Sequence, residues 1–191
     1  MADTARTLMT VEEFFVWQQG QEDRYELVEG VPVKLMTGAS EIHDVIVVNL
    51  ILALGGQLRG GPCRAATADL AIRTRIRSLR RADVLVTCDN DPPRANSYAA
   101  RNPRMVVEVL SPSNKGAPWQ RKLEEYRRLA GLTYILLVDA ELMQAVFIRR
   151  TGETWEHEDF IGPEGVIELP GIECRLAMAD VYEGLSLESG Q

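Results

Sequence analysis

Glu108 stands in the middle of an apolar run, Met105-Val106-Val107-Glu108-Val109-Leu110, where an acidic side chain needs a reason to be. Side chains alternate between the faces of an extended strand, so Glu108 shares its face with Val106 and Leu110. A carboxylate there must be paired, hydrogen-bonded or metal-bound, because burying an isolated charge is very costly. Asp83 opens the preceding apolar segment, Ala82-Asp83-Val84-Leu85-Val86. Sequential strands pair or adjoin about two-thirds of the time, so the two carboxylates can converge on one hard cation. Mg²⁺ suits such a pair, with Mn²⁺ as a substitute. It takes oxygen ligands, often one or two protein carboxylates, and leaves its other positions to water and a substrate phosphate. The ion lowers the pKa of a bound water and stabilises charge on the phosphate, which is the chemistry of phosphodiester hydrolysis. A lysine as third participant would orient that water and offset developing charge. Paired carboxylates also fit acid–base catalysis on a small molecule, but nothing in the sequence marks a pocket for one.

The elements that must position these acids are readable from pattern and punctuation. Thr10 caps a short helix, TVEEFFVWQQ, with Glu13 as its capping-box partner, and Gly20 stops it. Residues 24–29 and 31–36 are β-prone runs joined at Glu29-Gly30, a hairpin turn in which Gly supplies a positive φ. Ser40 opens a long helix over roughly 41–58, with Ile42, Val45, Ile46, Asn49, Leu50 and Leu54 near helical spacing and Gly55-Gly56 weakening its end. Strands follow over 63–76, interrupted or curved, then 82–88 and 104–110, the last apolar enough to be buried on both faces. A helix over about 118–130 stops at Gly131, and 133–138, 144–150 and 154–160 are further strands before a loop-rich tail. This order implies an α/β (α+β) architecture, a mixed β-sheet flanked by α-helices.

At 191 residues and 46% hydrophobic content, one domain is expected, with its core over about 10–160. No run approaches the ~18 apolar residues that span a bilayer, and the start MADTARTLMT lacks a signal peptide's apolar centre, so no membrane contact and a cytoplasmic location are expected. Cys63, Cys88 and Cys174 are odd in number, far apart, and cluster neither with one another nor with His43 and His157. That argues against disulfides and structural zinc and for buried thiols. A net charge of −7 is wrong for coating nucleic acid by general attraction. The distribution is uneven, however: RTRIRSLRR packs five arginines between Arg73 and Arg81, directly before Asp83. At strand spacing Arg73, Arg75 and Arg77 share one face and are candidates for touching a phosphate backbone, while a solvated hairpin is the plainer reading.

Several segments, taken in order, match one known family. They are Tyr25-Glu26-Leu27-Val28-Glu29-Gly30, a helix starting near His43, Ala82-Asp83-Val84-Leu85-Val86, Val107-Glu108-Val109-Leu110-Ser111-Pro112-Ser113, Lys122-Leu123-Glu124-Glu125-Tyr126, and Tyr134-Ile135-Leu136-Leu137-Val138-Asp139. Together they resemble the Uma-two family of restriction endonucleases over about residues 10–150. The resemblance implies the restriction-endonuclease-like PD-(D/E)XK fold, Mg²⁺-dependent cleavage of DNA, and a homodimer that pairs two sites around a two-fold axis. Carried over residue by residue, it makes Asp83 the motif's aspartate and Glu108 its second acid, and puts Glu26 near the metal. Two positions depart from the motif: Ala82 stands where a proline is usual, and Leu110 where a lysine is usual. Lys122, on the next helix, takes over that lysine's role. Pro118 replaces an aspartate common a few residues earlier.

Each candidate also has a purely structural reading. Glu108 could pair with an arginine, Asp83 could serve a turn, and Lys122 could lay its stem along the core edge with its head in water. Tyr126 could be core, Glu26 could face solvent, and Asp69 could be an exposed strand carboxylate. His43, near a helix N-terminus, and Tyr126, one helical turn past Lys122, are nonetheless candidates for contacting substrate. The functional expectation is a metal-dependent endonuclease acting on DNA; its rival is a catalytically idle nuclease-fold binding or assembly module.

Overall fold

The computed structural model describes residues 8–35, 40–111 and 117–190, with side chains from 119 onward in the last stretch. Met36, Pro112, Ser113, Asn114 and the side chain of Pro118 lie outside the described residues. Along the chain run α1 (Val11–Gln18), β1 (Tyr25–Val28), β2 (Val31–Lys34), α2 (Glu41–Gln57), β3 (Cys63–Thr67), β4 (Ile72–Arg75), β5 (Ser78–Arg80), β6 (Val84–Cys88) and β7 (Pro103–Leu110). They are followed by α3 (Ala117–Arg127), β8 (Tyr134–Asp139), β9 (Leu142–Thr151), β10 (Thr154–Ile161), β11 (Val166–Leu169), β12 (Cys174–Ala177), α4 (Met178–Val181) and β13 (Glu188–Ser189).

The capping box at Thr10 forms with both of its reciprocal bonds, and α1 buries Val11 and Phe14 against Leu27, Ala71 and Leu79. Leu27 and Leu79 belong to a small four-stranded sheet ordered β2-β1-β5-β4, and Ala71 immediately precedes its β4. Its hairpin turns at Glu29-Gly30 with both residues at positive φ, 51° and 85°. This is the two-residue turn whose twist matches the flanking strands. Gly30 is also required sterically, because a Cβ there would meet the Leu8 Cβ at 2.8 Å.

The large sheet has the order β10-β9-β8-β7-β6-β3, with β13 paired to β9. β7 and β8 are parallel and are joined by α3, as a parallel pair needs a crossover. β7 is buried on both faces, as its nearly continuous apolar run requires. One face, with Val107, Val109, Leu136 and Val138, packs under Ile46, Leu50 and Leu54 of α2. The other, with Val106, Ile135 and Ile148, packs under Tyr126 of α3. Among the described residues no helix is long and apolar enough to cross a membrane.

Five sequence expectations need correction. The 63–76 run divides between the two sheets, β3 in the large one and β4 in the small one. Helix α3 ends at Arg127 rather than near residue 130, because the Arg150 guanidinium caps it by donating to the carbonyls of Arg127 at 2.7 Å and Leu129 at 2.9 Å. The tail is not loop-rich: β11 and β12 pair antiparallel and bury Ile167, Leu169 and Leu176 beneath α2. Cys63 and Cys88 form a disulfide, because the β3–β6 register sets them opposite each other, a relationship their 25-residue separation conceals; only Cys174 is a buried free thiol. Finally, Arg77 lies in the turn between β4 and β5 and does not share a strand face with Arg73 and Arg75.

Candidate active site

β6 and β7 are antiparallel with Val84 opposite Val107, which brings Asp83, one residue before β6, across from Glu108. Asp83 Oδ2 accepts the Val109 backbone N–H at 2.8 Å, and Oδ1 lies 3.4 Å from His43 Nε2. His43 reaches it from the first turn of α2, on the helical face that also carries Ile46 and Leu50 into the core. The bond to Asp83 raises the His43 pKa above its ordinary value against the opposing effect of burial.

Glu108 turns to the α3 face. Tyr126 donates its hydroxyl to Oε1 at 2.7 Å, and Lys122 Nζ approaches Oε1 at 2.8 Å and Oε2 at 3.0 Å. Lys122 and Tyr126 are four residues apart on α3 and so project from one side of it. The lysine ammonium also donates to the Arg81 carbonyl at 2.9 Å and lies 3.2 Å from Glu26 Oε1. Of the three protons of an ammonium, two donate to Glu108 and the Arg81 carbonyl, and Glu26 stands beside them as a counter-charge. Lys122 is therefore not a stem with its head in water: burial disfavours its charge, but Glu108 and Glu26 outweigh that and raise its pKa.

Glu26 is buried, not solvent-facing. It accepts from Arg80 Nη1 and from the Arg81 backbone N–H, each at 2.9 Å. Burial works against its ionisation, yet the charges of Lys122 and Arg80 and these hydrogen bonds hold its pKa below the usual value. Glu108 behaves in the opposite way. Burial, with the charge of Asp83 adding to it against Lys122 and Tyr126, pushes its pKa up to about 7. One end of this acidic row opens to solvent, where the Asp83 side chain is 25% exposed and that of His43 18%.

Two carboxylates that face one another, one already destabilised by the other's charge, form a donor set that a divalent cation would relieve. Among the described residues no group of three or more His, Cys, Asp or Glu side chains gathers around a possible ion. Asp83 and Glu108 would thus be the protein's carboxylate share, which fits Mg²⁺, an ion that keeps several waters. Both oxygens of Glu26 are taken up by Arg80, Arg81 and Lys122, so its geometry is that of a residue positioning the lysine.

Residues 11–179 match the Uma2 family model, described as "Putative restriction endonuclease". The chain belongs to the Uma2 family. It is 28% identical over 180 residues to the uncharacterized protein slr1290 of Synechocystis sp., covering 93% of each chain. It is 24% identical over 164 residues to a second uncharacterized Synechocystis protein, sll1609, covering 84% of this chain and 92% of that one. In fold it is similar to the crystal structure of a putative nuclease belonging to DUF820 from Anabaena variabilis, with a TM-score of 0.72 and 18% identity over 91% of this chain and 97% of the other. The mixed sheets flanked by helices are that nuclease-like fold.

In this Uma2 chain, the arginine run that looked like one basic patch divides by depth. Arg73 pairs with Glu12, and Arg75 lies 3.8 Å from Glu29, both on the surface. Arg80 and Arg81 turn inward, 5% and 9% exposed. Asp69 pairs with Arg24 at the surface and stays out of the acidic row. Sequence reasoning missed Arg80, Arg81 and Glu125 as parts of the site's support. The available signals were Glu125 next to Tyr126 on an inward-facing stripe, and Arg80-Arg81 immediately before the Ala82-Asp83 strand.

Proposed function

We propose that this Uma2 chain is a nuclease that hydrolyses DNA phosphodiester bonds with Mg²⁺, or Mn²⁺ in its place, held by Asp83 and Glu108. The observation that carries this reading is Asp83 lying across from a buried Glu108 whose other neighbours are Lys122 and Tyr126. Bound there, the ion would supply an activated water and a counter-charge for the phosphate. Tyr126 and Lys122 fix the Glu108 carboxylate, and Glu26 and the Arg81 carbonyl fix Lys122 beside it. His43, at the solvent end and made more basic by Asp83, is placed to meet the phosphate. Arg73 and Arg75 are paired only at the surface, where ion pairs are weak, and can exchange those partners for a DNA backbone.

The test is cleavage of plasmid DNA with and without Mg²⁺ by the wild type, Asp83→Asn and Glu108→Gln. Both variants should lose at least about 100-fold in rate while keeping the wild-type circular dichroism spectrum; undiminished cleavage by either would overturn the assignment. One observation favours an inactive binding module instead: Lys122 is held inside the protein by Glu108, the Arg81 carbonyl and the charge of Glu26. Calorimetric titration with Mn²⁺ separates the readings, since an idle site would take up no ion in a Glu108-dependent way.

A further inference from the structure

Helix α2, EIHDVIVVNLILALGGQ, is apolar on every side, and a helix of that kind is normally covered on every side. Here the large sheet covers one side, α4 and β12 pack along another through Asn49 and Gln57, and a stripe is left open. Ile46, Leu50 and Leu54 face the large sheet, while on the opposite side Val48 is 47% and Leu52 68% exposed. The exposed Val48 and Leu52 and the half-buried Val45 and Gly55 are spaced three and four apart, continuing to the exposed Arg59 just past the helix end. That spacing forms a straight seam of the coiled-coil type. A Cβ added at Gly55 or Gly56 would meet nothing within 4 Å, so the end of the seam is an open notch.

The seam is complementary to itself when reversed. Laid antiparallel on a second copy about a two-fold axis at Leu52, it sets Leu52 against Leu52, drops Val48 into the notch at Gly55-Gly56 of the other copy, and brings Asp44 to Arg59 of the other copy. Among the described residues neither Asp44 nor Arg59 has an ion pair within the chain. An interface of this isologous kind makes every contact twice. The free edge of β10 offers no such match. It carries Glu156, His157, Glu158 and Asp159, and pairing two copies strand to strand would place carboxylates against carboxylates.

We infer that the exposed face of α2 is the two-fold interface of a homodimer, packed antiparallel with Leu52 on the axis and Asp44–Arg59 ion pairs at both ends. With a rise of about 1.5 Å per residue, the two copies of His43 would lie on the order of 25 Å apart along the helix pair. The inference rests on the helix alone and stands or falls independently of the chemistry at Asp83.

Sedimentation equilibrium of the full chain at micromolar concentration should give a dimer. Leu52→Glu should give a monomer with unchanged thermal unfolding of the fold. Arg59→Glu should weaken the dimer by about tenfold or more, and adding Asp44→Lys to it should restore the affinity by exchanging the two charges. On mild oxidation Leu52→Cys should form a covalent dimer, whereas Val16→Cys, at a site 73% exposed on α1, should not. A monomeric wild type, a dimer that survives Leu52→Glu, or a charge exchange that fails to restore binding would each overturn the interface.

Discussion

Arg80 holds Glu125 through two parallel bonds, Nε to Oε2 at 2.9 Å and Nη2 to Oε1 at 2.8 Å. Thr74 adds a third donor to Oε2, and the remaining Arg80 nitrogen reaches Glu26. Arg80 belongs to the small sheet and Glu125 to the helix crossing the large one, so this buried pair joins the two layers directly behind Lys122. Glu125→Ala would leave a guanidinium buried without its main partner, a change that costs about 3–5 kcal/mol. Urea unfolding should show a loss of that size, and a loss under about 1 kcal/mol would mean the pair is worth no more than a surface one. The pH dependence has a fixed sign. Both Glu26 and Glu125 ionise below the usual range, so their stabilisation is present above the unfolded-state value of about 4.3 and is lost as pH falls through their lower folded values.

The Cys63–Cys88 bond ties the edge strand β3 to β6, the strand that Asp83 opens. Closing a loop of 25 residues restricts the unfolded chain. In the chain-entropy description this is worth about 3.5 kcal/mol. Adding a thiol reductant, or making the Cys63→Ala/Cys88→Ala double variant, should lower the unfolding midpoint equally. A midpoint unmoved by reductant would show that the strand pairing holds without the bond.

How far the sequence reaches depends on whether the relevant contact is local. The Thr10–Glu13 capping box, the Glu29-Gly30 turn and the two-faced burial of β7 are decided by residues within a few positions of each other, and all were legible. That Asp83 and Glu108 lie on adjoining strands was legible too, whereas the register that sets them across from each other was not. The partner of Glu26 was not. Its burial depends on Arg80, 54 residues away, and on which way a nine-residue arginine-rich run turns in a sheet whose membership periodicity alone cannot assign. The disulfide failed for the same reason, because register between strands is set by the whole sheet. The tail strands β11 and β12 did carry an alternation of apolar and polar residues, Val-Ile-Glu-Leu and Cys-Arg-Leu-Ala, that could have found them.

Glu108 gives the sharpest test, because its displaced pKa of about 7 affects folding and ion binding in opposite directions. For folding, a carboxyl with a raised pKa contributes stability that is fully present below the unfolded value of about 4.3 and is lost as pH rises through the folded value. His43, also raised, adds a loss of the same sign from about pH 6.5 upward. For ion binding the carboxylate must be ionised, so affinity should rise about tenfold per pH unit below the midpoint and level off above it. Tyr126→Phe sharpens the prediction. The phenol donates to the ionised form of Glu108 and lowers its pKa, so deleting that hydroxyl should move the midpoint of the Mn²⁺ affinity profile above 7 while Lys122 keeps the side chain in place. Calorimetric titrations of wild type and Tyr126→Phe from about pH 5 to about pH 9 would measure both midpoints. An affinity flat across neutrality, or a midpoint that shifts downward in Tyr126→Phe, would place Glu108 outside the ion's coordination shell and leave Asp83 to hold it without that partner.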